Sequence, residues 1–348
     1  MWRKFRQHKL GMVGLIVLFI ILIVVIFAEF TAPYGINQNV GRPYMPPQVP
    51  HFIDESGEFH FRPFVYSLDS KLDMETGKTE WSFDPADKNF IYLFVRGSSY
   101  RFFGLKSNIH LFGTKEGSVH FLGTDPNGRD VFSRIIYGGR TSIGVSFLAA
   151  VFSLGLGTIV GLMSGYFGGV TDLLSQRVVE LSLIIPSVPL GLALAAFLPA
   201  DVSPFLLVIG VAVVISIIRW GETARQIRGK ALSIRHEEFV AAAKASGAGP
   251  VRIMFKHVLP PIFSHLIVLG TLIIPQAMVM EASISFLGFG VRPPLTSWGL
   301  LLKRAQQSRV IQLYPWLIIP GFAIMVTVLT LNFIGDGIRD AADPYSQD

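Results

Sequence analysis

Long apolar runs of bilayer-crossing length restrict what this sequence can fold into. A membrane-spanning helix needs about 20 mostly apolar residues, and Leu10–Ala28 is uncharged and apolar throughout. The same criterion predicts further spans at Ile143–Tyr166, Leu181–Phe197, Pro204–Ile218, Ile262–Gly288 and Trp316–Ile334. Only 16% of the residues are charged, whereas soluble domains carry about a quarter. The sequence therefore predicts an all-α polytopic membrane protein with six transmembrane helices.

Basic residues cluster in short segments beside the predicted spans, which accounts for the net charge of +6 without a nucleic-acid partner. Lys and Arg concentrate in cytoplasmic loops. One cluster precedes the first span, and a larger one separates the fourth span from the fifth. The basic residues of these clusters are Arg3, Lys4, Arg6, Lys9, Arg219, Arg225, Arg228, Lys230, Arg235, Lys244, Arg252 and Lys256. We therefore expect a cell-membrane protein with cytoplasmic N- and C-termini.

The chain divides by composition into residues 1–30, with the first span; 31–122, a polar and aromatic segment; and 123–348, the remaining five spans. The middle segment would lie outside the cytoplasm. Its runs Phe59–Tyr66, Phe90–Val95 and Val119–Leu122 have strand-like composition. We expect a small, partly β extracytoplasmic insertion, which is either a variable decoration or a docking surface or lid for a delivery protein.

A polar, Ala-rich segment at 238–261 predicts a short helix, a glycine turn and a second helix ending at Leu259–Pro260. Phe239, Ala242 and Ala243 would give the first helix an apolar face suited to a groove on another protein. Gly247 permits a sharp backbone turn. A plain amphipathic hairpin would show the same pattern.

Residues 122–142 read as an interfacial helix leading into the second span. Asp125 would cap this helix, and Pro126 suits its first position. Val131, Phe132, Ile135 and Ile136 would form its apolar stripe. A generic amphipathic lead-in would have the same periodicity.

Both segments resemble parts of ABC importer permeases. Residues 122–142 are similar to a signature of the C-type permease subunit in the oligopeptide/dipeptide/nickel importer family, and Ser285–Gly290 is similar to that family's SFLGLG segment. The signature falls on Gly123, Thr124, Asp125, Gly128, Arg129, Asp130, Ser133, Arg134, Gly138, Arg140 and Ser142. The resemblance covers about residues 120–345 and the first span.

Residues 238–261 resemble the family's coupling loop, which contacts an ATPase and here occupies about 221–261. The coupling residues that the resemblance implies are Glu238, Phe239, Ala241, Ala242, Ala243, Gly247, Leu259 and Pro260. Ala241 stands where the family usually has Glu, and His257 stands at a usually apolar position.

The resemblance implies a type I ABC importer transmembrane domain that forms half of a pathway for peptides or related solutes. The implied partners are a B-type permease subunit, two ABC ATPases that bind ATP and Mg, an extracytoplasmic binding protein and the lipid bilayer. Oligosaccharides or other solutes remain alternatives, and a secondary transporter or channel is a further one.

The residues themselves argue against an enzyme. A phosphate-binding P-loop needs G-x-x-x-x-G-K-[ST], and Gly229-Lys230-Ala231 lacks the preceding glycine and the hydroxyl. His236-Glu237-Glu238 is not the zinc motif H-E-x-x-H. The sequence has no cysteine, which excludes thiolate metal sites and disulfides within the chain. We expect no cofactor in this chain.

Glu281 and Ser285 are candidate pathway or gate residues in the fifth predicted span. An ionisable side chain at that depth is costly and usually faces protein or water. Glu281 could line a pathway, or it could be a buried acid hydrogen-bonded to a neighbouring helix. A small-residue face on the second span, formed by Ala149, Ser153, Gly157, Gly161 and Gly165, could pack within this chain or slide against a partner subunit.

Overall fold

The computed structural model describes residues 2–72, 79–102, 104–199 and 201–342, most of them helical. The helices before the sheet are α1 (Trp2–Phe5), α2 (Lys9–Ile26) and α3 (Ala28–Thr31). The longer helices after it are α4 (Val131–Phe167), α5 (Gly169–Ile184), α6 (Ser187–Ala196), α7 (Pro204–Ile234), α8 (Glu238–Ala245), α10 (Leu259–Phe286) and α13 (Ile319–Ala342). The short ones are α9 (Pro250–Ile253), α11 (Trp298–Leu302) and α12 (Ser308–Leu313).

Among the described residues, five helices are long and apolar enough to cross a membrane, or six if a bent pair counts as one span. The five are Lys9–Ile26, Val131–Phe167, Pro204–Ile234, Pro250–Phe286 and Pro315–Ala342. Each contains a predicted span or most of one. The predicted interfacial helix is not separate, because α4 begins at Val131 and runs without a break to Phe167.

The predicted third span, Leu181–Phe197, is not one straight helix. Helices α5 and α6 meet at 94°. Ile185 is extended between them, with φ −72° and ψ 127°. It precedes Pro186, whose ring disfavours helical backbone in the preceding residue. Helix α5 also begins at Gly169, well before the predicted start, because its first turns are too polar to register as a span.

Over the described residues the chain divides into two compact units. The first, here called the helical unit, comprises Met1–Phe19, Ser142–Val291 and Ile324–Asp348. The second, the sheet unit, comprises Ile20–Thr141 and Arg292–Ala323.

The core of the helical unit contains buried side chains from α4, α6, α7 and α10. Val145 of α4, Val211 and Ile215 of α7, and Ala277 and Ile284 of α10 belong to one buried cluster. The small-residue face of α4 packs on α7. A Cβ on Gly161 would lie 2.6 Å from the carbonyl oxygen of Ala224. The packing alternative for this face is therefore the one present in the structure.

The sheet unit contains an antiparallel meander of strands β1 (His51–Ile53), β2 (Phe59–Leu72), β3 (Thr79–Phe102) and β4 (Leu105–Thr114). Phe59–Tyr66 lies within β2 and Phe90–Val95 within β3. The prediction of a strand at Val119–Leu122 is wrong, because this segment is a loop, buried at Val119 and His120. The backbone N–H of Gln48 donates to the carbonyl of His120, and the His120 N–H donates to the Gln48 side chain at 2.7 Å.

Candidate functional site

The predicted coupling loop, 221–261, begins as helix. Helix α7 continues to Ile234, so residues 221–234 are its last turns. A short connection follows, and α8 then occupies Glu238–Ala245. Glu238 lies in the first turn of α8 and Lys244 in the last, which is the arrangement that the helix dipole favours.

Val240 fixes which side of α8 faces the protein. It is fully buried in a cluster with Ile253, Val258 and Ile262, and Ala243 packs against that cluster. Residues three apart lie on the same side of a helix, so Phe239 and Ala242 share a different side. Both are exposed, Phe239 at 45%. Ala243 follows Phe239 by four residues and Val240 by three, and it is half-buried against the cluster. The exposed part of the predicted apolar face is therefore Phe239 and Ala242.

The exposed side of α8 presents small side chains around one aromatic ring. Ala242 is exposed on the same side as Phe239, and Ala241 is exposed on another side of the helix. The Lys244 ammonium lies 5.3 Å from the centroid of the Tyr166 ring, a cation–π arrangement that ties the C-terminal end of α8 to α4. A surface with this shape can enter a groove without the hindrance of bulky side chains.

The turn after α8 depends on Gly247. Its φ is +80°, a conformation that glycine adopts without a steric penalty. The N–H of Ala248 donates to the carbonyl of Ala243 at 3.1 Å. This is the bond of a Schellman motif, which satisfies a carbonyl at the helix end. The Gly247 turn directs the chain from α8 into α9.

The helix that follows does not end at Leu259–Pro260, contrary to the prediction. Helix α9 continues through a wider π-type turn, Met254–Val258, into α10, and Leu259 and Pro260 form the first turn of α10. Prolines at 260 and 261 lack the N–H that a regular helix needs, and π-type turns accommodate such local interruptions. Helix α8 is therefore packed against a continuous helical segment, Pro250–Phe286.

The signature segment contributes a turn and a buried charge cluster to the sheet unit. The prediction that Asp125 caps a helix is wrong. Asp125 begins a turn closed by the Gly128 N–H donating to its carbonyl at 2.9 Å, and Gly128 has φ +72°. The cap of α4 is Asp130, whose carboxylate accepts from the Ser133 N–H and hydroxyl, both at 2.7 Å.

Asp125 instead joins two arginines. Its carboxylate accepts from Arg129 Nε at 2.9 Å and from an Arg134 guanidinium nitrogen. Arg134 also donates to the Thr296 hydroxyl at 3.3 Å. All of these side chains are buried. Buried charges require such pairing because their desolvation is costly, so this part of the signature acts as a structural joint.

Gly123 and Thr124 fix the loop beside that joint. Gly123 has φ +70°, and the Thr124 hydroxyl donates to the Arg42 carbonyl at 2.6 Å and accepts from the Met45 N–H at 2.8 Å. Burial raises the pKa of the nearby Tyr34 to about 12. Its phenol therefore stays protonated, and its oxygen accepts from the Val119 N–H at 2.9 Å.

Arg140 links α4 to the end of the first apolar helix. Its guanidinium donates to both carboxylate oxygens of Glu29 at 2.6 Å and to the Ile26 carbonyl at 2.8 Å. Burial raises the pKa of Glu29, but the Arg140 contacts outweigh this and hold it below its ordinary value. Sequence reasoning missed Glu29, although an acid at the end of a predicted span was a signal.

Glu281 and Ser285 lie together inside the helical unit, and both are fully buried. The Glu281 carboxylate accepts from the Ser285 hydroxyl at 2.7 Å and from the Ser142 hydroxyl at 2.8 Å. Ser142 belongs to α4, so Glu281 bridges α10 and α4. This is the arrangement expected of an acid hydrogen-bonded to a neighbouring helix.

Sequence reasoning also missed an ion pair between α5 and α7. Arg228 donates to both oxygens of the Asp172 carboxylate, at 2.5 and 2.6 Å. The sequence places Arg228 in the basic loop before the fifth predicted span, whereas the helical continuation of α7 to Ile234 places it opposite α5.

Asp54, Glu58 and His60 form a group with metal-ligand geometry within the described residues. The Asp54 carboxylate, however, already accepts from the Lys88 ammonium at 2.5 Å and lies 3.1 Å from a His60 ring nitrogen. The contacts of Lys88, Ser56 and His60 hold the pKa of Asp54 well below its usual range. Lys88 supplies the positive charge here, so the group is better described as an ion pair than as a metal site.

Comparison with known proteins assigns the chain to a family. The model of the family described as "Binding-protein-dependent transport system inner membrane component" matches residues 157–345. The chain belongs to this family. A second model, the N-terminal TM domain of oligopeptide transport permease C, matches residues 1–47. This family member is therefore a multi-pass inner-membrane transport component, mostly helical, with five to six apolar helices.

Individual relatives are similar along about two thirds of the chain. The dipeptide transport system permease protein DppC of Alkalihalophilus pseudofirmus is 41% identical over 226 residues, covering 65% of this chain and 72% of the relative. The oligopeptide transport system permease protein OppC of Haemophilus influenzae is 38% identical over 232 residues, covering 66% and 72%. A solved structure of the MetNI methionine ABC transporter, inward facing, matches with a TM-score of 0.43 and 19% identity over 60% of this chain and 96% of that one.

Proposed function

We propose that this chain is the C-type permease subunit of an ATP-driven importer and forms half of its translocation pathway. The observation that carries the proposal is α8: a short helix with an exposed Phe239–Ala242 side, joined through Val240 to the helix that continues as an apolar span. Family membership supports an importer component. A type I ABC importer arrangement follows as part of the proposal.

The cargo that we propose is a peptide or a related small solute. The two relatives described above carry the names dipeptide and oligopeptide transport system permease protein, and peptide cargo is common to both names. An oligosaccharide or another solute is the alternative within the same mechanism. Selection would rest mainly with the extracytoplasmic binding protein.

The proposed coupling step uses contacts within this chain. An ATPase subunit would receive the exposed side of α8 in a groove. Because Val240 is packed with Ile253 and Val258, a push on α8 would pass into the segment Pro250–Phe286. ATP and Mg would be bound by two partner ATPases, and this chain would perform no catalysis itself.

The proposed topology places both termini and α8 in the cytoplasm, with 31–122 outside. Residues 1–30 would be the first membrane segment and 123–348 the core permease domain. The remaining partners would be a B-type permease subunit, a binding protein docking outside and the lipid bilayer. The basic residues around α8 support this orientation.

Cross-linking tests the docking surface directly, because the chain contains no cysteine. Ala242→Cys in the assembled transporter should cross-link to an ATPase subunit. The matched control is Phe61→Cys, which is 94% exposed in β2 and on the opposite side of the membrane under this proposal. Capture of the ATPase by the control alone, or by neither variant, would refute the docking role.

Substitution at Gly247 tests coupling. Gly247→Asp should abolish transport-coupled ATPase stimulation while leaving membrane insertion intact. Asn and Asp are the residues other than glycine that best tolerate positive φ, so Gly247→Asn separates the backbone effect from the added charge. Normal uptake by both variants would contradict the proposal.

A secondary transporter is the second candidate, and Glu281 is the observation that favours it, since intramembrane acids often carry ions or protons. Vesicle transport separates the two functions. The importer proposal requires ATP and a separate ATPase. Uptake driven by an ion gradient alone would favour the secondary transporter.

A further inference from the structure

We propose that the β3–β4 hairpin dips into the membrane interface beside the end of the first apolar helix, where its apolar side chains meet acyl chains and its cationic ones meet lipid phosphates. The occupant of this surface is therefore the bilayer. The contact does not depend on the orientation proposed above, which decides only that the leaflet is the outer one.

The hairpin runs back along α3 toward the membrane. His110 Nδ1 lies 2.7 Å from the Ala32 carbonyl oxygen, and the Phe94 and Phe30 rings lie 6.2 Å apart. Nearer the end of the hairpin at which β3 is followed by β4, here called the closed end, the Phe102 ring lies 5.0 Å from that of Phe27. These contacts follow the chain back from Ala32 to Phe27, the residue that comes directly after α2.

The closed end therefore lies level with the last residues of a membrane-length helix. Helix α2 ends at Ile26, immediately before Phe27. Its 18 residues span about 27 Å, slightly less than the hydrocarbon thickness of about 30 Å. Lipid that surrounds the end of α2 would also reach a structure packed on Phe27.

Beside the closed end the hairpin exposes an apolar side chain, since Leu105 is 75% exposed. Farther along β3, Leu93 is 70% exposed and Phe94, beside Phe30, is 64% exposed. Leu105 pairs with Phe102 and so shares its face of the strand pair. Apolar side chains beside the end of a membrane helix are explained by lipid more directly than by water, because burial of apolar surface is favourable.

The charges point to an anionic partner. Arg101 is directly opposite Lys106 in the register, and both are exposed. Like charges directly opposite each other destabilise a strand pair. A lipid phosphate between them would remove that repulsion and accept hydrogen bonds from both. Long basic side chains reach the interface in this way while their neighbours stay in the apolar layer.

Depth-dependent quenching tests the proposal on the full transporter, reconstituted in phosphatidylcholine vesicles with or without phosphatidylglycerol. Leu105→Cys, carrying an environment-sensitive fluorophore, should shift its emission to the blue and lose intensity when the acyl chains are brominated. Phe61→Cys is the matched control. Phe61 lies near Phe64, which pairs with Phe90, and Phe90 is up to about 40 Å along the strand from Phe102.

The outcomes separate lipid from other occupants. Quenching by brominated lipid at Leu105 but not at Phe61 supports the proposal, and weaker quenching in Arg101→Glu supports the phosphate contact. Equal quenching of both positions by aqueous iodide, with none by brominated lipid, overturns the proposal. Protection of Leu105 that appears only on addition of a purified binding protein also overturns it, because the occupant is then a protein. Neither result bears on α8 and its ATPase.

Discussion

Adding one methyl group to the α4–α7 interface should destabilise the helical unit. In Gly161→Ala the new Cβ would lie 2.6 Å from the Ala224 carbonyl oxygen and 2.8 Å from the Ile227 Cβ. Ordinary contacts begin at about 3.4 Å, so the helices must part by about 0.8 Å. Overpacking costs about 1–3 kcal/mol, and the better helix propensity of Ala returns about 0.5–1 kcal/mol. We expect a net loss of about 1–2 kcal/mol.

Thermal unfolding of the purified protein measures this loss, as about 2–4 °C in Tm for each kcal/mol in a body of this size. The control is Gly155→Ala in the same helix, where a Cβ would meet nothing within 4 Å. That variant should be neutral or slightly stabilised. If both variants have the wild-type Tm, the interface is looser than the structure indicates, and the sliding alternative for this face regains support.

Three further predictions concern α8, the sheet and the buried acid. Val240→Ala should lower Tm, because it removes two buried methyl groups worth about 0.8 kcal/mol each. Phe239→Ala should keep Tm and reduce ATPase coupling. The reverse pattern would contradict the inward side assigned to Val240 and the exposed side assigned to Phe239. Asp54 has a depressed folded pKa, so its stabilising contribution is present above its unfolded pKa of about 3.9 and lost as the pH falls through the lower folded value. Hydrogen exchange in β2, corrected for intrinsic rates, should therefore accelerate below about pH 4, and less so in Lys88→Met; a pH-independent profile in the wild type would argue against this. Glu281→Gln should keep Tm and uptake. Glu281→Leu should lower Tm, because it removes the acceptor of the Ser142 and Ser285 hydroxyls, and a lost hydrogen bond costs about 0.5–1.5 kcal/mol. A Gln variant with normal Tm and no uptake would instead indicate a pathway role.

Hydropathy located the apolar helices well because a run of about 20 apolar residues is typical of a membrane-spanning helix and rare in other structures. It failed where helices are polar, as in the first turns of α5 and the last turns of α7. The break at Ile185–Pro186 was accessible to local reasoning, since a residue before proline is biased away from helical backbone. The predicted continuous span Leu181–Phe197 leaves this bias out of account.

The start of α4 shows how two plausible local signals compete. Asp125 followed by proline resembles a capped helix, and Asp130 followed by Ser133 does so too. The string Asp-Pro-Asn-Gly is also a turn signal, with glycine at the position that needs positive φ. Weighing the turn first would have moved the helix start to Val131, as observed.

Partners distant in sequence limited the prediction of the site. Arg140 and Glu29 are 111 residues apart, and no periodicity connects them. Elementary electrostatics does narrow the search: a guanidinium near the end of an apolar helix needs an acid or carbonyls at the same depth. Glu29 immediately follows the first apolar run. A comparison of the charged residues that lie at similar depth beside the ends of the spans would therefore have paired Glu29 with Arg140. The same reasoning does not orient α8, because Val240 and Phe239 are both apolar, and only the cluster around Ile253 and Val258 decides which one faces inward.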